Sequence, residues 1–551
     1  MLPEKTSPQE KHVNDGRKNS FGFYIEETPP VKDTLPLTQR ISGTRRPATD
    51  DYSGSQSSKR KRYCEYAPIE MAEGAKNTIN PIRQILENIV VEPNDSKQLI
   101  KLNIGDPTIT GALPSHPALT EAILKSLISG RYNGYGPAAG FPDARKAVAD
   151  FISTPTCPLT AADIILTSGC SHALQIAIEG LASPGQNVLI PRPGFPLYTT
   201  LMMPINVEPR FYDLDINQNW EADLASMESQ IDRNTAAIIV CNPSNPTGAV
   251  YSRKHLSELK SLAREHKLPI IADEIYGDMV HDNVQFHPIA SVEPKCPVIS
   301  CDGLSKRWLV PGWRLGWVVV HDPLDVLSDV RQGFQQLAQK LVGPCALIQG
   351  ALPHILRDVP KSFFDNARKV LQTNADIAFE ELKRVPGLNV VQPQGAMYMM
   401  MDVCMENFPE FADDLELTQA LIREESIFCL PGTAFHYPGS LRIVLTYPED
   451  IMREACRRMS DFFERHFMEG EQAELKRCEL TVKIPDRKEL LLQNPAYLAQ
   501  GPQDFVEVEE LHIRSTHSPI AIATDGYTGH SIGLTSGHFE GTGGYFPTSA
   551  Q

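Results

Sequence analysis

Short β-branched runs alternate with helical stretches between residues about 120 and 344, and this alternation constrains the fold more than any other feature. Residues 163–167, 187–191, 236–241, 268–272, 298–301 and 315–320 read as strands. Residues 171–181 read as a helix with a stripe at Leu174, Ala177, Ile178 and Leu181. Apolar runs without alternation belong to strands covered on both faces, so the pattern predicts a largely parallel α/β sheet between helices. Ligands of open α/β sheets bind at the carboxyl ends of the strands. Here those ends carry Thr167-Ser-Gly169, Asn242-Pro243, Asp273-Glu274 and the loop that holds Lys306.

Beyond Pro344 the pattern changes to long helices, then short strands at 389–391, 397–401, 427–430 and 441–445, and a last helix near 449–467. That predicts a second, smaller α+β domain. Residues 1–70 are rich in Pro, Ser, Thr and charge and are expected to be disordered. Residues 468–551 read as a mostly disordered extension, although 471–487 suits either a helix or a strand. The catalytic region is therefore expected over 71–467, with a large domain at about 120–344 and a small one from about 71–119 with 345–467.

Charge and composition narrow the function. A net charge of −16 disfavours a generic nucleic-acid surface. No apolar run reaches the roughly 18 residues of a membrane span, and no secretory signal is expected. The eleven cysteines are scattered without a CxxC pair, which fits reduced thiols in a cytoplasmic protein. The basic run Lys59-Arg-Lys-Arg62 reads first as a segment flanking a folded domain and second as a nuclear signal. Gly134–Gly140 has the wrong spacing for a dinucleotide loop, and His281 and His287 read as surface or structural residues, so no metal is expected.

One constellation carries chemistry. Lys306 follows the apolar run 297–301, Arg314 lies eight residues on, and Asp273 ends the run Leu-Pro-Ile-Ile-Ala. A lysine, an acid at a strand end and a trailing arginine are what pyridoxal phosphate (PLP) requires: an imine former, a partner for the ring nitrogen and a phosphate ligand. Tyr276 and Asn245, the latter in a rigid Asn-Pro turn, are candidates for the ring 3-oxygen. The small residues Gly169, Cys170 and Ser171 at a helix start suit a phosphate. Phe195 suits stacking on the ring. Arg442 lies in the apolar strand Ser-Leu-Arg-Ile-Val, where a buried arginine needs an anion, such as a substrate α-carboxylate. Taken singly, each has a plainer reading: a surface lysine, a capping aspartate, core aromatics, ordinary turns and a structural salt bridge.

Taken together, the motifs are specific. They are Leu102-Asn-Ile-Gly-Asp-Pro-Thr108, Tyr132-Asn-Gly-Tyr-Gly-Pro137, Thr167-Ser-Gly-Cys-Ser171, Pro191-Arg-Pro-Gly-Phe-Pro-Leu-Tyr198, Cys241-Asn-Pro-Ser-Asn-Pro-Thr-Gly248, Ala272-Asp-Glu-Ile-Tyr-Gly-Asp-Met-Val280, Leu304-Ser-Lys-Arg-Trp-Leu-Val-Pro-Gly-Trp-Arg314 and Gly395-Ala-Met-Tyr398. Through them the chain, from about 63 to 467, resembles the fold-type-I, PLP-dependent aminotransferases, and among these the members that act on tyrosine. The resemblance implies a mostly parallel seven-stranded sheet. It implies Lys306 as the Schiff-base lysine and proton shuttle, and Asp273 as the ring-nitrogen partner. Asn245 and Tyr276 would lie on the 3-oxygen, Arg314 with Gly169, Cys170 and Ser171 on the phosphate, and Phe195 on the ring. Arg442 would hold the α-carboxylate, and Gly105 would make a backbone contact near substrate. Tyr135 matches a tyrosine that reaches the neighbouring subunit's cofactor, which implies a homodimer with shared sites. The reaction implied moves the amino group of L-tyrosine to 2-oxoglutarate in a ping-pong cycle.

Two departures stand out. Gly303 replaces a serine often found three before the lysine in aspartate-type relatives, and no second arginine matches the one that reads a dicarboxylate side chain there. Two rival readings are a PLP-dependent carbon–sulfur lyase of cystine and a non-enzymatic regulator with an aminotransferase-like domain. The second needs a helix-turn-helix module, and residues 1–70 are too rich in Pro and Ser to supply one.

Overall fold

The computed structural model describes residues 69–483. The basic run Lys59–Arg62 and the chain beyond 483 lie outside them. A two-residue strand β1 (Ile100–Lys101) comes first. The large sheet then uses β2 (Ile164–Thr167), β3 (Asn187–Arg192), β4 (Glu208–Asp215), β5 (Glu221–Ala222), β6 (Thr235–Cys241), β7 (Ile270–Asp273), β8 (Val298–Gly303) and β9 (Gly316–His321). Their order across the sheet is β2-β9-β8-β7-β6-β3-β4-β5. Only β9 and β5 run against the rest.

Seven strands thus form the expected mostly parallel sheet, and the two-residue β5 adds an eighth at its edge. β7, β8 and β9 are buried along their whole length. That follows from the β-branched runs Ile-Ile-Ala, Val-Ile-Ser-Cys and Trp-Val-Val-Val, which have no polar face to offer water. The helix Cys170–Leu181 buries Ala173, Leu174, Ile176, Ala177 and Ile178 against this sheet.

A second sheet is built from β10 (Leu388–Val390), β11 (Tyr398–Val403), β12 (Ile427–Phe428), β13 (Leu430–Pro431) and β14 (Ser440–Val444), with one exception. The run 427–430, expected as one strand, divides at Cys429. β12 pairs with the early β1, whereas β13 pairs with β14 in the order β10-β11-β14-β13. The chain before the large sheet is in this way sewn to its distant carboxyl-terminal part.

The helix Glu449–His466 follows as expected, but the next stretch holds a helix, Glu471–Lys483, where no core was expected. Its Ala473 is buried, and Lys476 lies 3.8 Å from Glu410. The Met468 N–H just before it donates to Asn407 O at 2.9 Å. Among the described residues no helix is long and apolar enough to cross a membrane, and the nine cysteines are all unpaired thiols.

Candidate active site

The carboxyl ends of β2, β6, β7 and β8 open onto a cavity of roughly 470 Å³. Gly105, Cys170, Ser171, Phe195, Asn245, Asp273, Tyr276, Lys306, Arg314 and Arg442 all line it. Gly169 adjoins it as the residue that caps the helix Cys170–Leu181. Of the residues singled out in the sequence, only Tyr135 stands apart: it is 94% exposed, outside the cavity.

Asp273 ends β7 with 2% of its surface exposed. Tyr198 Oη donates to Oδ2 at 2.8 Å, and Cys170 Sγ approaches Oδ1 at 3.6 Å. Burial pushes the Asp273 carboxyl up to about 6, and the hydrogen bonds from Tyr198, the Ile275 N–H and Cys170 pull the other way. The carboxylate is therefore still mostly charged at neutral pH, stabilised by dipoles rather than by a cation. The thiol of Cys170 is pushed up by burial and by this same carboxylate, so it serves as a donor and not as a thiolate.

Lys306 lies on the loop after β8. Its Nζ donates to Gly105 O at 2.5 Å and sits 5.9 Å from the centre of the Tyr276 ring. Tyr276 Oη and Tyr398 Oη are 2.9 Å apart. Burial, and then the neighbouring Tyr398, hold the Tyr276 hydroxyl well above its ordinary range, so it stays protonated and able to donate.

Arg442 occupies the middle of β14, opposite Met400 and Leu430, and is 3% exposed. Its Nη1 donates to Asn245 Oδ1 at 3.1 Å and its Nη2 to Asn103 O at 2.8 Å, while among the described residues Nε is buried without a partner. The guanidinium carbon lies 4.4 Å from the Tyr398 ring centre and 4.9 Å from that of Phe435. Burial lowers its proton affinity, and the nearby groups that oppose this are tyrosines, not carboxylates. A buried cation with neutral partners is a seat for an incoming anion.

Arg314, also on the cavity, adopts a left-handed backbone, φ 50° and ψ 50°. Its guanidinium donates to Pro311 O at 3.0 Å and Ser168 O at 3.1 Å. A Cβ on Gly169, whose φ is +78°, would lie 2.6 Å from Arg314 Nη2. Glycine at 169 thus lets the arginine close over the helix start. Within that helix the His172 N–H bonds back to Gly169 O at 3.1 Å, and Cys170 and Ser171 line the cavity before it. First-turn N–H groups beside an arginine form an anion cradle. Gly303 also has a steric cause, because a Cβ there would meet Leu315 O at 2.7 Å and Gly316 Cα at 2.8 Å.

These features fit pyridoxal phosphate. A cradle that a side chain at 169 would fill suits the phosphate, and a buried carboxylate suits the ring nitrogen. Asn245 and Tyr276 lie on the same cavity for the 3-oxygen, Phe195 for the ring face and Lys306 for the aldehyde. Three residues escaped the reading of the sequence as functional: Tyr198, Asn103 and Tyr398. All three sit inside motifs quoted above, but only the fold shows that Tyr198 reaches Asp273, that the Asn103 carbonyl reaches Arg442 and that Tyr398 reaches Tyr276.

Known proteins resemble the chain over the same region. The family model described as aminotransferase class I and II matches residues 97–459. The tyrosine aminotransferase of Bos taurus is 47% identical over 409 residues, covering 74% of this chain and 92% of that protein. That of Homo sapiens is likewise 47% identical over 409 residues, covering 74% and 90%. The crystal structure of tyrosine aminotransferase from Leishmania infantum superposes with a TM-score of 0.70 at 31% identity, covering 73% of this chain and 100% of that one.

Proposed function

The chain belongs to the class I and II aminotransferases, and from that premise we propose that it moves the amino group of L-tyrosine to 2-oxoglutarate, giving 4-hydroxyphenylpyruvate and glutamate. The reading rests on one observation above all. The Lys306 amine, the buried Asp273 carboxylate and the buried Arg442 guanidinium converge on a single cavity. The choice of tyrosine is supported by the names of the relatives at 47% identity.

When bound, pyridoxal phosphate supplies an electron sink that lets the α-carbon of an amino acid release its proton. The rest falls to the protein. Arg314 and the helix start at Gly169–Ser171 hold the phosphate end. Asp273 keeps the ring nitrogen protonated, and its own charge is preserved by Tyr198 and the Ile275 N–H. Tyr276 and Asn245 donate at the 3-oxygen, and Phe195 covers the ring. Arg442 fixes the substrate through its α-carboxylate, with Asn103 O and Asn245 Oδ1 orienting the guanidinium. Lys306 would remove the proton from the α-carbon of the amino acid in the first half-reaction and deliver one to the α-carbon of the oxo acid in the second, a task for which a positioned amine in a partly dry site is suited. The same groups serve both half-reactions, first for the amino acid and then for the oxo acid.

A homodimer goes with this reading. Tyr135 at 94% exposure and Ile128 at 83% present aromatic and apolar surface that a second copy would cover, and Tyr135 would then reach the partner's phosphate. Cytoplasmic location belongs to the proposal too, resting on the scattered thiols. The deciding experiment is an amino-donor panel with 2-oxoglutarate, read beside the visible absorbance of protein purified with vitamin B6. A coloured protein that prefers tyrosine and releases 4-hydroxyphenylpyruvate supports the reading. A colourless protein, or one in which cystine yields pyruvate and ammonia faster than tyrosine is transaminated, overturns it.

A further inference from the structure

Tyr398 opens β11 and is buried, and its two surfaces meet two different functional groups. Its hydroxyl is 2.9 Å from that of Tyr276, and its ring face lies 4.4 Å from the Arg442 guanidinium carbon. A third contact concerns the substrate loop: a Cβ on Gly105 would fall 2.4 Å from Tyr398 Oη, so only glycine admits the hydroxyl there. Gly105 is also the residue whose carbonyl receives the Lys306 amine.

The seat of Tyr398 is rigid. Gly395 N–H donates to Gly248 O at 2.9 Å and Ala396 N–H donates to Met279 O at 2.8 Å. The loop that carries Asn245 and the loop that follows Tyr276 thereby clamp the entry to β11. A Cβ on Gly248 would strike Tyr398 O at 2.5 Å, so this approach too needs a glycine, at φ +74°.

We propose that Tyr398 is a positioning residue that couples the carboxylate-binding arginine to the hydrogen bond at the cofactor's 3-oxygen. The inference rests on the reading given above. If Tyr276 donates toward the cofactor, its oxygen must accept from Tyr398, so the two hydroxyls form a directed chain in which each bond polarises the next. The ring face meanwhile holds the Arg442 cation by a desolvated cation–π contact.

Two substitutions separate the surfaces. Tyr398→Phe keeps the ring and removes the hydroxyl. Tyr276 then donates less strongly, more negative charge stays near the lysine nitrogen, and the midpoint of the pH-dependent visible absorbance of the holoenzyme moves up by about half a pH unit. The KM for tyrosine stays within about twofold, since the cation–π contact survives. Tyr398→Leu removes both contacts and raises KM for tyrosine and for 2-oxoglutarate about tenfold. In a Tyr276→Phe background, Tyr398→Phe adds no further shift in the midpoint, whereas a purely structural effect would add. The proposal falls if the Phe variant keeps the wild-type midpoint, or if a folded Leu variant keeps the wild-type KM. Should the Leu variant fail to fold, the Phe variant and its double mutant decide. Wild-type protein without visible absorbance would instead overturn the reading of the site, which keeps the two failures distinct.

Discussion

Asp273 and Arg442 are buried charges in one cavity, and they are held in opposite ways. The floor of the cavity, at the end of the large sheet, gives Asp273 donors that lie 2, 75 and 103 residues away along the chain. The wall carried by the smaller sheet gives Arg442 acceptors that lie 197 and 339 residues away. The floor is thus built from segments that leave the carboxyl ends of one sheet's strands and satisfies its charge with dipoles. The wall includes the longest-range contact of the site, between Arg442 and Asn103, and among the described residues leaves Arg442 Nε without a partner. A floor of that kind suits a group that stays, and a wall of that kind suits a carboxylate that comes and goes.

Lys306 joins the two regions through Gly105 O, so its loss is the largest effect expected. Lys306→Ala should cut kcat by at least about 10³-fold, while circular dichroism and melting temperature stay close to wild type. Residual turnover within tenfold of wild type would break the comparison at its centre. Asp273→Asn probes the floor alone: kcat should fall by roughly 10²-fold or more and the cofactor should dissociate more readily, because an amide cannot keep the ring nitrogen protonated. Arg442→Lys probes the wall alone. A point charge replaces a fork held in place by Asn103 and Asn245, so KM for amino and oxo acids should rise about a hundredfold, with cofactor affinity unchanged by equilibrium titration. If both variants shifted KM and cofactor affinity alike, the division into floor and wall would be wrong.

The smallest effect concerns stability behind the floor. Glu274 is buried, accepts from Ile289 N–H at 2.7 Å, and is pushed up to about 7, mainly by burial. Its folded value lies above the ordinary glutamate value, so its contribution to stability is fully present at low pH. That contribution is lost as pH rises from about 4.5 through 7. Glu274→Gln keeps an acceptor and removes the titration. Its melting temperature relative to wild type should therefore climb by a few degrees between pH 5 and pH 8. A constant offset across that range would show that Glu274 does not titrate there.

The floor was legible in the sequence because its parts are local. A strand end followed by Asp273, a Ser-Gly-Cys-Ser turn before an apolar helix and a lysine just after an apolar strand each announce a position at the sheet's carboxyl edge. The wall was less so. Arg442 drew attention only as an arginine in an apolar strand. Tyr398 and Tyr198 stand only as members of their motifs, since nothing in their neighbourhood reveals that their hydroxyls meet Tyr276 and Asp273. β4, Glu-Pro-Arg-Phe-Tyr-Asp-Leu-Asp, escaped notice because it lies toward the sheet edge, is only partly buried and lacks a continuous apolar run. The break at Cys429 depends on pairing with β1, more than three hundred residues earlier, which no local pattern encodes.

Arg314 holds its place with a backbone shape that side chains resist and glycine accepts freely, at a cost of about 1–2 kcal/mol. Folding and cofactor retention therefore compete at this one position. Arg314→Gly should relax the backbone but also lose the bonds to Pro311 O and Ser168 O and empty the cradle of its cation, so the apoprotein's melting temperature should change little while cofactor retention falls. A melting curve of the apoprotein alone would therefore miss what this residue does.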